Sequence, residues 1–289
     1  MNKIPVGKTI TYAYSFTFGH LGTIIGLVWL PLVIMTVLGF LPRLAGSGLD
    51  SADQSPLAVG SQAIGGVAVI ALTFLLYAII CVAVTRQALG LRQGVASVHF
   101  ALGMGEFRMF GALLLMFGVT VAFLITYLFV IAIADSVGGN SAAAAIAASV
   151  IAMLGALALI YAVIRLVFLV VPVTVAEEQI NLVRGWSLTQ SNFWRILAVM
   201  LAVGLPIFLV YAIGNLVIMG SDTAANVPAA IANNFTELLK YEMRIVDRHL
   251  PGLLFLELIL APFSFGLNLG AAAFAYRALV QDTAVVRAA

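Results

Sequence analysis

The sequence predicts an all-α fold, a polytopic membrane bundle of six transmembrane helices forming one domain over residues 1–289, and three observations predict it. Charged residues make up 9% of the chain and hydrophobic ones 63%, with a mean hydropathy of +1.14. A soluble domain keeps about 25% charged residues to hold its surface in water. Six tracts each supply the ~20 apolar residues that a helix rising ~1.5 Å per residue needs to cross a ~30 Å hydrocarbon layer. The tracts are also apolar on every face. That removes the alternation of a barrel strand and leaves the helix as the way to satisfy backbone amides where no water reaches.

The polar-to-aromatic start runs to His20 before the first tract, 21–41. This is not the layout of a cleaved signal peptide, so the first tract is expected to stay in the mature chain as a span. The second, 63–85, holds Cys81, the only cysteine. No disulfide can form within the chain, a lone thiol has no partner for catalysis or metal binding, and the residue reads as a small buried hydrophobe. The third tract, 109–134, is free of charge. The fourth, 142–164, follows a turn at the glycines 138–139 and belongs to a stretch that continues to Ala176, interrupted only by Arg165 and Pro172. The fifth, 196–220, contains Pro206 and Asn215, and the sixth, 253–276, contains Glu257, Pro262 and Asn268. The prolines kink their helices, and the two asparagines read as polar glue between packed helices. Before the sixth tract, PAAIANNFTELLKYEMRIVDRHLP (228–251) sets Phe235, Leu238, Leu239, Met243 and Val246 at helical spacing. It predicts an interfacial helix on the extracytoplasmic face, a lid or a docking surface for a protein partner.

Orientation follows from the basic residues. Lys3, Lys8, Arg86, Arg92, Arg108, Arg165, Arg184, Arg195, Arg277 and Arg287 fall on one side, and Arg43, Lys240, Arg244 and Arg248 on the other. The positive-inside rule makes the first side cytoplasmic and places both termini there, in a bacterial inner membrane. A net charge of +2 is too small and too dispersed for a nucleic-acid surface. The expected partners are membrane lipids.

An internal repeat of 86 residues aligns YSFTFGHLGTI (14–24), FALGMGEFRMF (100–110) and WSLTQSNFWRI (186–196). Tyr14, Phe100 and Trp186 correspond; Gly19, Gly105 and Ser191 share one position, and His20, Glu106 and Asn192 the next. A residue tolerating the left-handed conformation followed by a small polar cap spells a helix, a break and a new helix. Each unit, 1–86, 87–172 and 173–289, is then an interfacial helix followed by a transmembrane hairpin. In the third unit Leu182, Val183, Trp186, Phe193, Ile196 and Leu197 share one side and Arg184, Ser191 and Arg195 the other, with Leu188 on the wrong face. The stretch predicts an elbow, an amphipathic helix in the headgroup layer up to about Gln190 and then a turn into the fifth span.

Arg165, Pro172, the pair Glu177 and Glu178, and the elbow WSLTQSNFWRI together resemble bacterial six-helix membrane proteins. These include the membrane domain fused to glycerophosphodiester phosphodiesterases and the YciC-like envelope proteins. The likeness covers mainly residues 160 to 200 and implies an integral membrane module tied to lipid or envelope homeostasis. It does not carry hydrolase activity, because no stretch of this chain could house the soluble catalytic barrel.

Chemistry-bearing motifs are absent from the sequence. His20, His99 and His249 are scattered without ligand spacing, so neither a metal nor another cofactor is expected. No nucleophile motif or phosphate-cradling loop occurs. Glu177 and Glu178 are adjacent and diverge by ~100° on a helix, so they cannot act on one substrate atom, and no catalytic residue is assigned. Ionisable groups within the bilayer remain the place to look. Arg165 is read as snorkelling to the cytoplasmic surface, and the sharper reading has it line a cavity and hold a lipid phosphate. Arg184, Arg195, Trp186 and Trp194 join it as expected lipid or anion contacts, and Glu257, Asn215 and Asn268 are the membrane-buried polar residues. The leading expectation is a non-enzymatic lipid-handling or envelope protein. The alternatives are a secondary transporter or channel for a small solute, and a scaffold subunit of a membrane complex.

Overall fold

The computed structural model describes residues 3–46, 56–91, 102–138, 142–220 and 235–288. Among them the regular elements are helices: α1 (Val6–Gly19), α2 (Leu21–Gly46), α3 (Pro56–Ala88), α4 (Met104–Gly138), α5 (Ala142–Glu177), α6 (Leu182–Thr189), α7 (Phe193–Met219) and α8 (Phe235–Ala288). All except α1 and α6 are long and apolar enough to cross a membrane, which gives six candidate spans where the sequence predicts them. In α4 and α5 the apolar stretches run for 30 and 32 residues. At ~1.5 Å per residue each exceeds a ~30 Å hydrocarbon core.

The expected separate helix at 228–251 is corrected. Residues 228–234 lie outside the described residues, and from Phe235 onward the segment is the beginning of α8, a single helix of 54 residues with Pro251 and Pro262 inside it. A proline removes one amide donor and kinks the axis, but a helix that resumes beyond it keeps every other amide bonded. That matters most for a segment about to enter lipid.

The position of α1 departs from the expected interfacial one. Ile4 N–H donates to Asn192 Oδ1 at 3.1 Å, and Tyr14 Oη donates to the Ala202 carbonyl at 3.1 Å, both pairs 188 residues apart. Equal separations ten residues along mean that α1 runs parallel to α7. Against α8 the pairing progresses in reverse: Tyr12 stacks on Phe274 with centroids 4.9 Å apart, Phe16 lies on Gly270 and Thr17 on Gly266. A Cβ added at either glycine would stand 2.8 Å from its neighbour, so the helices meet as closely as they do only because no side chain intervenes. α1 is therefore wedged lengthwise between α7 and α8. Its polar atoms permit this, because Thr9 and Thr17 donate to the Pro5 and Ala13 carbonyls of their own helix and leave the face of Thr9, Ala13, Phe16 and Thr17 free to be buried.

The core gathers around the second half of α8, which packs on α1, α2, α3, α5 and α7: Leu76 to Val84 of α3, Phe168 to Val175 of α5, Ile196 to Val203 of α7 and Ala261 to Tyr276 of α8 itself supply most of its buried apolar side chains. α7 and α8 are antiparallel, with Gly214 opposite Leu256 and Gly252 opposite Ile218. α4 and α5 pair as a hairpin, the Tyr127 ring lying over Gly155 while its hydroxyl donates to the Ala152 carbonyl at 3.0 Å. The outer portions of this hairpin, with Phe129, Ile146 and Leu157, are exposed, an apolar surface suited to lipid contact.

Candidate functional site

The elbow is built as its sequence spells it. Asn181 opens α6 by accepting from the Arg184 N–H at 2.9 Å, as an N-cap side chain does. α6 ends at Thr189, Ser191 takes a left-handed φ of 65°, and α7 begins at Phe193. The equivalent glycines behave differently. Gly19 lies in α1 and Gly105 in the first turn of α4, and neither has a positive φ, which falls instead on Gly90 and Gly220. Phe100, the aromatic of the second unit, lies outside the described residues. Glu106 is nonetheless a cap, since its Oε2 accepts from the Gly103 N–H at 3.0 Å. Asn192 does not cap α7 with its side chain. Its Oδ1 accepts from Ile4 N–H while Arg195 Nη1 donates to the Ile4 carbonyl at 2.9 Å, so the elbow clamps the chain that leads into α1.

α6 packs antiparallel on the end of α5. Gly185 faces Val170, Thr189 reaches Arg165 and Phe193 lies against Tyr161, with ring centroids 4.6 Å apart. Leu188, on the wrong face of the predicted wheel, packs on the core. The buried face is set by the small residues Gly185 and Thr189, which hydropathy alone ranks low.

Arg165 does not snorkel. It is 5% exposed and donates through Nε to Thr189 Oγ1 at 3.1 Å, through Nη1 to Tyr161 Oη at 2.8 Å and through Nη2 to the Trp186 carbonyl at 2.9 Å. The Trp186 ring covers the guanidinium at 4.0 Å, a cation–π contact. Its charge is met by the C-terminal carbonyl end of α6, two hydroxyls and a ring, and among the described residues no carboxylate pairs with it. Three of its five N–H donors are used in this way, which holds α6 on α5, and at this burial the guanidinium is closed off from a lipid phosphate.

Arg184 is paired too, its Nε lying 3.4 Å from Glu177 Oε1, which also accepts from Tyr276 Oη at 3.3 Å. Glu178 turns away to Arg108 at 3.3 Å, and Arg86 meets the 2%-exposed Glu106 at 3.4 Å. The ends of α3, α5 and α8 and the starts of α4 and α6 thus share one polar end. Of the five residues expected to touch lipid, Trp194 alone is broadly exposed, at 76%.

The remaining expected polar residues lead elsewhere. A cavity of about 570 Å³ opens between α3, α5, α7 and α8, and Glu257, Ser264 and Asn268 line it from one face of α8. Spacings of seven and four return a helix to the same side. Phe168, Ile207 and Leu260 belong to its apolar wall, with Tyr77 and Tyr211 adding phenol rings. Asn268 Nδ2 donates to the Ser264 carbonyl at 2.9 Å and Asn215 Nδ2 to the Tyr211 carbonyl at 2.8 Å. Both asparagines therefore bond their own helix instead of joining two, and Asn215 is not part of the cavity. Glu257 is exposed and has no hydrogen-bond or ion-pair partner among the described residues. Measured along α8 from Tyr276 at the polar end, Asn268 is ~12 Å and Glu257 ~28 Å away at ~1.5 Å per residue, so the strip covers the distal part of one bilayer thickness.

Sequence reasoning named Glu257 and Asn268 and missed that they share a wall with Ser264, Tyr77 and Tyr211. The periodicity of 257, 264 and 268 was the available signal. Among the described residues no group of His, Cys, Asp and Glu could hold a metal, and His99 lies outside them. Comparison with protein families, with curated proteins and with solved structures gives no match.

Proposed function

We propose that this chain is a non-enzymatic lipid-handling protein of the bacterial inner membrane, with both termini cytoplasmic, and that the groove between α5, α7 and α8 holds a membrane lipid. The observation that carries the reading is the groove itself, a polar strip of Glu257, Ser264 and Asn268 set into an otherwise mostly apolar wall. An amphiphile needs that combination, and the volume lies in the ~300–1,000 Å³ range of ligand pockets. The wall is open sideways, since Phe208 is 63% exposed, so a lipid can enter without leaving the bilayer. The gathering of Arg86, Arg108 and Arg184 at one polar end supports the orientation. The resemblance to envelope-associated membrane modules points the same way. A solute pathway is less well supported, because the Arg165 guanidinium that would continue the polar strip is bonded to α6 and does not line the groove.

The test is native mass spectrometry of the whole chain released from mild detergent. Wild type is expected to retain phospholipid, and Gly204→Leu to lose it. Gly204 lines the groove with nothing within 4 Å of where its Cβ would stand, so a leucine there starts from open space. Absence of lipid on wild type, or equal retention by the filled variant, overturns the proposal.

The threefold repeat is proposed as the construction of the chain. Its support is the register of burial, since Ala13, Thr17 and Ile24 are buried in the first unit and Gly185, Thr189 and Ile196 in the third, each pair 172 residues apart.

A further inference from the structure

We infer that the groove selects a bilayer phospholipid whose headgroup carries a protonated amine, with Glu257 as its counter-charge. The inference rests on the lipid-groove reading above and adds the class of headgroup. Glu257 is the sole lining residue with a formal charge, and neither Lys nor Arg lines the cavity. A groove built for an anionic headgroup would present cations to the phosphate. Here an anionic headgroup would meet neutral hydroxyl and amide groups and a carboxylate that repels it, whereas a zwitterionic one can swing its ammonium onto that carboxylate.

The neighbour of Glu257 fits the same guest. The pairings of Gly214 with Leu256 and of Gly252 with Ile218 fix the antiparallel register of α7 on α8. In that register Tyr211 stands opposite residue 259, within a turn of Glu257, and both residues line the groove. A carboxylate beside a phenol ring is the pairing that recognises an ammonium, through charge and through the negative face of the ring. Glu257 has no partner among the described residues to compete for it, whereas Glu106, Glu177 and Glu178 are all paired with arginines. Val167 and Phe208 on the groove wall are exposed, so the occupant that reaches the strip by lateral movement is a lipid of the surrounding bilayer.

The test uses the full chain in detergent with phosphatidylethanolamine and phosphatidylglycerol of matched acyl chains at equal concentration, read by native mass spectrometry. The expected result is retention of phosphatidylethanolamine about fivefold above phosphatidylglycerol, the scale of one partly exposed ion pair. In Glu257→Gln the preference is expected to fall to about parity while total lipid retention persists. N-acyl phosphatidylethanolamine, whose nitrogen carries no charge, is expected to bind wild type no better than phosphatidylglycerol. Equal retention of the first two lipids by wild type, an undiminished preference in Glu257→Gln, or full preference for the N-acylated lipid overturns the inference and leaves the groove reading standing. Failure of wild type to retain any lipid, or retention in Gly204→Leu, overturns the groove reading itself.

Discussion

Replacing Arg165 by lysine should harm this protein more than replacing it by methionine, although lysine keeps the charge. The guanidinium donates to Thr189, Tyr161 and the Trp186 carbonyl at once and lies under the Trp186 ring. Hydrogen bonds within membrane proteins are worth about 0.6 kcal/mol each on average and up to about 1.7. A desolvated cation–π contact adds about 2, so truncation forfeits about 4 kcal/mol in all. Against that, a charge at membrane depth costs roughly 2.5–3.5 kcal/mol even by the mildest scale. Arg165→Met loses the first quantity and recovers the second, for a net destabilisation of about 1 kcal/mol. Arg165→Lys recovers nothing. Its single ammonium cannot reach three acceptors arranged for a planar fork and has a higher hydration cost, so about 2–3 kcal/mol should be lost. Reversible unfolding in bicelles, followed by steric trapping, measures both variants on one scale. A lysine variant as stable as wild type beside a strongly destabilised methionine variant would mean that charge, and not the forked bonding of α6 to α5, is what the site requires.

Three further outcomes follow from the packing. Gly266→Leu should destabilise by about 1–3 kcal/mol, the usual cost of overpacking, because its Cβ alone would stand 2.8 Å from Thr17; thermal melts would show the shift, with Gly204→Leu as the unstrained comparison. Asn192→Ala should cost about 1–3 kcal/mol by stranding the Ile4 N–H, and faster amide exchange at residue 4 would report it directly. Spin labels at positions 243 and 259 should lie ~24 Å apart between backbones if α8 continues through Pro251 at ~1.5 Å per residue, and a clearly shorter electron–electron distance would restore the separate interfacial helix.

The spans were legible because in lipid a single quantity, continuous apolarity over a bilayer thickness, decides them, and it is written locally. The elbow's break was legible for a related reason, since the left-handed turn at Ser191 is set within a few residues of itself. What the sequence hid was the partner of each polar group. The residues that satisfy Arg165 stand 21 and 24 positions later, apart from Tyr161 one turn before it, and those that hold Ile4 stand 188 and 191 positions later. Periodicity carries no information at such distances. The position of α1 was hidden likewise, because an amphipathic helix has the same wheel whether its apolar face meets acyl chains or two neighbouring helices. Only the absence of side chains at Gly266 and Gly270 decides for the second, by leaving room on α8.

Arg165 and Glu257 are both ionisable residues inside apolar tracts. Their surroundings separate them. The C-terminal end of α6 is folded back onto Arg165, so carbonyl, hydroxyls and ring replace the water it gave up. Glu257 faces a groove in which no lining side chain pairs with it, although Ser264 and Asn268 lie along the same strip, and Asn268 turns its amide donor onto its own helix. A membrane protein that can satisfy one ionisable group so completely has no structural need to leave another bare, and the exposed Glu257 carboxylate is left to a bound cation or to surface water. Of these two sources, a bilayer lipid supplies the cation and also covers the apolar wall beside the carboxylate with its acyl chains, which water cannot do.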